Sequence, residues 1–424
     1  MKKHFFLCAV QLLSVVFAGR AQTAKQLTLN DCYKLADQNY PLVKQRELIA
    51  KTAEYTIENI QKGYLPQLNV YGQATYQSAV TAIPIKPLGV NIPILSKDQY
   101  KLYGEFTQVL YDGGQLKQQQ QLQKANEAID QQQLQTELYQ LKDRVNQLFF
   151  SVLLLDEQLK QNDLIIKDIE LGHNKIQASI KNGIAFKSNG DVIVAELLKN
   201  KQHTIELRAS RKAYTDMLSL FIGKPIDEET AFVKPAPINI SSEIKRPELL
   251  VYDEQGKDLD VQNKMLTAKT LPKLNLFFQG GMGRPGLDLL SNSLAAYYIG
   301  GVRLTWSPSV FYTNKKNRAI IGINRQSLDI QKETFLFNTN LTVKQQNADI
   351  GKYQQLLASD DEIINLRTKV KNTAMVQLEN GVITGNDFLS EVNDEDQARQ
   401  NKILHQMQLL MAQYNQQTTT GNLQ

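Results

Sequence analysis

Two spacings of apolar residues organise this chain. Over residues 67–77, Leu68, Val70, Gly72, Ala74 and Tyr76 alternate strictly with Gln67, Asn69, Tyr71, Gln73, Thr75 and Gln77. A period of two over about ten residues predicts a β-strand, and that is the length a tilted strand needs to cross a bilayer. The alternation returns with Leu274, Leu276 and Phe278 against Lys273, Asn275 and Gln279. It recurs with Leu102, Gly104 and Phe106 against Glu105 and Thr107, and with Tyr298, Val302, Leu304 and Trp306 against Arg303 and Thr305. Strand by strand, a soluble sheet with one wet face would read the same way. Four strands cannot close a barrel alone, so they must pair with other protomers or leave open edges.

Between the strands the spacing becomes helical. Leu134, Leu138, Leu141, Val145, Leu148, Val152, Leu155 and Leu159 advance in steps of four and three, the seam of a coiled coil. Residues 115–181 contain no proline, and Gly172 is their only glycine. A single helix is predicted there, roughly 100 Å long at about 1.5 Å per residue. A return helix carries Leu197, Leu207, Tyr214, Leu218 and Phe221 on one stripe. Later, Ile350, Tyr353, Leu357, Ile363, Leu366 and Val370 read similarly, as do Val392, Ile403, Met407, Leu410 and Tyr414. Such helices hide one stripe against a hairpin partner and need lateral neighbours for the rest. Glutamine dominates residues 115–135; it keeps helix propensity while offering uncharged polar surface. That suits a water-filled lumen and equally suits a solvated helix face.

The order of features occurs twice at a spacing of roughly 200 residues, the signature of a duplicated half-molecule rather than a solenoid. Leu65-Pro66-Gln67-Leu68-Asn69 matches Leu271-Pro272-Lys273-Leu274-Asn275. Each is followed by two strands and a long helical stretch. Asn182-Gly183-Ile184 punctuates the first stretch and Asn380-Gly381-Val382 the second, with Asp191 and Asp387 downstream.

Charge and cysteine usage narrow the class. Lys2 and Lys3 precede an apolar stretch over residues 5–17, and Gly19-Arg20-Ala21 offers a cleavage site before Gln22. Residues 1–21 are therefore predicted to be a signal peptide. Cleavage removes Lys2, Lys3 and Arg20, so the formal +5 falls by three to +2. The remaining charges alternate in sign, which argues against nucleic acid as a partner. Cys32 is left as the only cysteine, so no intramolecular disulfide forms.

Signals for catalysis are weak. Gly281, Gly283 and Gly286 spell GxGxxG, but Pro285 interrupts it and no βαβ pattern follows. His173, His203 and His405 are scattered, with no CxxC or HExxH nearby. No nucleophile elbow occurs. No catalytic residue, cofactor or metal site is predicted. The cluster Asp394-Glu395-Asp396 reads as a solvated helix start that could also meet a basic partner surface.

Together these residues resemble the TolC-like outer-membrane efflux protein family over essentially the whole mature chain. The likeness rests on Leu-Pro-x-Leu before each first strand, on Leu110-Tyr111-Asp112-Gly113-Gly114 running from strand into long helix, and on the two Asn-Gly turns with their aspartates. It implies a mainly α fold with β: a homotrimer in which each protomer gives four strands to one 12-stranded barrel in outer-membrane lipid. Long antiparallel coiled-coil helices would extend into the periplasm. The implied organisation is a first structural repeat over 22–222, an equatorial segment over 223–250 and a second repeat over 251–424. The connections at 78–100 and 283–295 would face the exterior; their proline and glycine suit loops.

The resemblance implies passive conduction through a channel joined to a periplasmic adaptor (membrane fusion) protein and an inner-membrane pump of the RND or ABC type. The hairpin turns, Asn182, Gly183, Ile184, Asn380, Gly381 and Val382, would meet the adaptor. Asp191 and Asp387 would line the periplasmic aperture, where a carboxylate ring favours cations; a helix N-cap role is the other reading of each. In the best-known members two aspartates one turn apart line the second tip, whereas Asp387 is here followed by Ser390. A tyrosine and an arginine that lock the mouth in those members are here Leu378 and Ile383. An apolar constriction at Ile383 or Phe388 is therefore expected. The competing function class is a secreted or periplasmic coiled-coil scaffold with a soluble sheet.

Overall fold

The structure, a computed structural model, describes residues 26–81, 94–238, 241, 243–288 and 291–422. The predicted signal peptide lies outside them, as does residues 82–93 of the first strand connection. Helices predominate: α1 (Leu29–Asn39), α2 (Gln45–Gln61), α3 (Gln115–Lys181), α4 (Lys187–Ile222), α5 (Glu248–Ala268), α6 (Val310–Glu379) and α7 (Gly385–Thr420). The strands are β1 (Gln26–Leu27), β2 (Gln67–Tyr76), β3 (Asp98–Tyr111), β4 (Ala231–Phe232), β5 (Lys273–Arg284) and β6 (Ala295–Thr305). Because β3 begins at Asp98, β5 runs to Arg284 and β6 starts at Ala295, the strand connections are shorter than the sequence suggested. No described helix is long and apolar enough to cross a membrane.

The chain forms two units. The first comprises Lys44–Thr136 and Pro247–Leu336 and is built on a four-stranded sheet of order β2-β3-β5-β6. Every pairing is antiparallel, with Val70 opposite Gly104, Gly104 opposite Gly280 and Gly280 opposite Tyr298. Both β2 and β6 are edge strands within the chain. At the exit of β3 the chain reverses through Gly113 and Gly114, whose φ angles of 73° and 79° are open to glycine and costly for other residues. Asp112 then caps α3, its two carboxylate oxygens accepting from Gly114 N at 2.8 Å and Leu116 N at 2.6 Å. Arg325 pairs with Asp260, and Lys332 with Asp253 at 2.9 Å, holding α6 to α5.

The second unit comprises residues up to Val43, Glu137–Arg246 and Phe337–Gln424. Its core takes Val145, Leu148, Phe149, Phe150 and Val152 from α3, Cys32 and Ala36 from α1, Leu218 and Ile222 from α4, and Met407 and Leu410 from α7. The four-three seam read in α3 is thus the buried seam. Burial, with the neighbouring Asp31 charge, pushes the Cys32 thiol up to about 12, so it packs rather than reacts. Residues 231–232 pair in parallel with β1, and Phe232 lies against Phe149 with ring centroids 5.3 Å apart. Lys245 N donates to Thr420 O at 2.6 Å, fastening the segment after α4 to the end of α7.

Helix α6 departs from expectation. The C-terminal half of its predicted stripe stays open, with Ile363, Leu366 and Val370 exposed at 45, 55 and 44%. Only Thr339, Asp360, Ala374 and Leu378 are buried among its 70 residues. Its earlier members Ile350, Tyr353 and Leu357 are half-buried, with Tyr353 against His405 of α7, so the periodicity finds only partial cover within one chain.

Candidate functional site

Two regions collect the residues singled out by sequence. The first is the pair of hairpin tips. At the end of α3, Ile184 N donates to Ser179 O at 2.9 Å and Gly183 N to Ile180 O at 3.0 Å. At the end of α6, Val382 N donates to Gln377 O at 2.9 Å and Gly381 N to Leu378 O at 3.1 Å. Both are Schellman closures, with Gly183 and Gly381 left-handed at φ 72° and 68°. This explains why the same Asn-Gly-apolar triplet stands at each tip. Asn380 adds a bond from Nδ2 to Val376 O at 2.8 Å.

The tips adjoin one another. A Cβ added at Gly381 would lie 3.0 Å from Ile184 Cγ2, and one at Gly385 would lie 2.9 Å from Asn189 O. Ile184 and Val382 project into solvent. The two aspartates differ. Thr384, not an aspartate, is the N-cap of α7, and Asp387 completes its capping box by accepting from Thr384 N at 2.9 Å and Thr384 Oγ1 at 2.7 Å. Those bonds hold the Asp387 carboxyl below the usual carboxylate range. Asp191 lies one turn inside α4, whose N-cap is Phe186, so the N-cap reading does not apply to it. Both aspartates are exposed.

Phe388 is placed otherwise than expected. Its ring is 0% exposed and packs with Ile165, Ile169, Ile193, Leu378 and Val392. Gly172 makes its room: a Cβ there would lie 2.6 Å from Phe388 Cε1. An aromatic side chain in such a core lines no aperture in this conformation. Ile383 is half-buried against the same cluster. With Asp387, Val370, Thr373, Gln377 and Glu391 it also lines an open groove of about 400 Å³.

The acidic cluster in α7 is likewise not the solvated face its sequence suggested. Glu395 is buried at 3% exposure, accepts from Thr368 Oγ1 at 2.6 Å, and pairs with Lys371 and Arg399. Lys371 also reaches Asp168 of α3 at 2.7 Å. Asp394 pairs with Arg367 at 2.8 Å, and Asp396 accepts from Gln161 at 3.1 Å. The sequence carried one unused signal: Glu395 follows Phe388 and Val392 at four-three spacing, which turns it inward.

The second region is the sheet. One face presents Leu68, Val70, Leu102, Phe106, Leu276, Phe278, Val302 and Leu304, all exposed, with Val70 at 71%. The opposite face presents Gln67, Asn69, Gln73, Lys101, Glu105, Gln279 and Arg303. There Glu105 is shielded and accepts from Arg303 Nη1 at 2.9 Å and from Gln279 Nε2. The shielded Glu105 on the polar face and the bare apolar face opposite invert the arrangement of a soluble sheet. Gly281 and Gly283 lie inside β5, which pairs antiparallel on both sides. The GxGxxG pattern is therefore strand sequence, not a phosphate loop.

Comparison with known proteins agrees with this picture. Residues 32–224 match the model of the outer membrane efflux protein family. No curated protein sequence matches the chain. Among solved structures it resembles the outer-membrane channel OprN (TM-score 0.65, 13% identity, 93% of this chain and 89% of that one). It also resembles VceC from Vibrio cholerae (0.64, 12%, 93% and 96%) and CusC (0.66, 13%, 92% and 91%). The resemblance read from the motifs therefore holds, and the fold over most of the chain is that of these outer-membrane proteins.

Proposed function

We propose that this chain is one protomer of an outer-membrane efflux channel, a conduit rather than an enzyme. The observation that carries the reading is the inverted sheet. Its exposed apolar face suits hydrocarbon, and Tyr76, Tyr100 and Trp306 on that face lie toward the strand ends, where aromatic girdles sit. Backbone edges at β2 and β6 cannot remain open in lipid. Three copies joined edge to edge would close a 12-stranded barrel. The exposed part of the α6 stripe, Ile363, Leu366 and Val370, would find its cover in a neighbouring copy, and the twofold order of elements would give the tunnel wall its quasi-symmetry. A periplasmic scaffold would have to keep the apolar face wet, which speaks against that alternative.

In this reading the signal peptide directs export, and the tips form the periplasmic end. Asp191 and Asp387, repeated by threefold symmetry, would ring the mouth, with Ile383 beside them. Ile184 and Val382 offer apolar points for an adaptor protein, itself coupled to an inner-membrane pump of the RND or ABC type. The test is direct. Membrane fractionation should recover the protein in the outer membrane, and detergent extracts should run as a trimer that dissociates on boiling. Planar bilayers should show channel current. A monomer stable in plain buffer would overturn the proposal.

A further inference from the structure

The polar face of the sheet carries more aromatic surface than a water-filled wall requires. Tyr71 and Tyr103 stand directly opposite in register and stack, with centroids 5.2 Å apart at 27°. Two more rings rest over glycines. A Cβ at Gly301 would meet Phe277 Cε1 at 3.2 Å, and one at Gly283 would meet Tyr297 Cε1 at 3.4 Å. The same Gly283 position meets Lys101 Cγ at 3.3 Å, so a lysine stem and a tyrosine ring flank one glycine. Only glycine leaves the backbone low enough for both.

Charge on this face is lopsided. The positions that alternate onto it bring Lys101, Lys273 and Arg303 against a single acid, Glu105. Glu105 is already bonded by Arg303 and Gln279. The Arg303 guanidinium lies 4.4 Å from the Phe277 centroid. Lys101 is exposed and makes no ion pair among the described residues.

We propose that this face is a stacking site for planar aromatic anions, with the solute ring on Tyr71, Tyr103 and Tyr297 and its carboxylate or sulfonate on Lys101. Ring faces attract flat solutes of any charge, and cations more than anions. Here, however, a cation would meet Lys101 and Arg303 as like charges, while an anion gains a charge-assisted bond. Neutral flat rings would stack without that bond. The site rests on the channel reading, in which this face lines the lumen.

The test uses the full-length protein in detergent and pyrene-1,3,6,8-tetrasulfonate, followed by the probe's fluorescence anisotropy. Expected is a saturable rise, with none for the planar cation proflavine and little competition from citrate, an anion without a ring. Lys101→Gln and Tyr71→Leu should each raise the half-saturation concentration at least about fivefold, while Lys332→Gln, on α6, leaves it unchanged. Absence of a saturable rise, equal binding of proflavine, or indifference to both substitutions overturns the site. Bilayer current is read separately. A conducting protein that ignores the probe loses only the site; a protein that binds the probe but never conducts loses the channel reading.

Discussion

Lys371 of α6 places its ammonium 2.7 Å from the Glu395 carboxylate of α7, and Glu395 is almost wholly removed from solvent. Lys371 reaches Asp168 of α3 at the same distance, so one side chain joins three helices below the tips. Burial opposes its charge, but the two carboxylates outweigh it and raise the ammonium's proton affinity.

Removing that cation should be costly. Lys371→Met leaves the buried Glu395 carboxylate with Arg399 as its remaining cation and is expected to destabilise the helical unit by about 1.5–3 kcal/mol, the worth of a charged hydrogen bond. Thermal melting followed by circular dichroism reads the loss. A melt unchanged from wild type would show the pair to be dispensable.

Acid should loosen the same junction. Burial would raise the Glu395 carboxyl, yet its bonds from Lys371, Thr368 and Arg399 prevail and hold it at about 2 against an ordinary 4.5. A carboxyl depressed by folding stabilises the fold fully above its unfolded value and loses that contribution as pH falls toward the folded value. The window is therefore pH 4.5 down to about 2, and the stake is on the order of 3 kcal/mol. Glu395→Gln should be less stable at neutral pH and flatter across that window in pH-dependent melting.

Gly172 and Phe388 form a lock that a double-mutant cycle can read. Phe388→Ala empties a core site and should cost about 3–5 kcal/mol. Gly172→Ala crowds the ring and should cost about 1–3 kcal/mol. Because the alanine methyl fits once the ring is gone, the double variant should be no worse than Phe388→Ala alone. Additive losses would disprove the contact.

The two tip glycines should respond unequally. Gly183→Ala meets no atom within 4 Å and carries only the left-handed backbone cost, about 1–2 kcal/mol. Gly381→Ala meets Ile184 as well, so it should be the more destabilising of the pair. Hydrogen exchange at the flanking amides compares the two.

On the sheet, face matters more than chemistry. Val70→Arg puts a charge on the apolar face and should cost about 2–4 kcal/mol of membrane stability, cutting the yield of assembled protein in the outer-membrane fraction. Gln73→Arg, on the polar face of the same strand, should assemble normally. Equal yields would mean that the apolar face never meets lipid.

Local order was legible in the amino-acid sequence because its causes are local. Strict alternation set the faces of β2, β3, β5 and β6. Four-three spacing set the buried seam of α3, and glycine's access to positive φ set the closures at Gly183 and Gly381. None of these needs a distant partner. What only the tertiary structure decided is which surfaces meet. The order β2-β3-β5-β6, the pocket that Gly172 opens for Phe388, and the inward turn of Glu395 all depend on residues far away in sequence; Lys371 and Asp168 are 203 positions apart. Periodicity gives a stripe its direction on its own helix but not the identity of the neighbour. The seam of α3 therefore found a core while the stripe of α6 stayed open at Ile363, Leu366 and Val370, because burial is a property of two surfaces and a sequence pattern describes one.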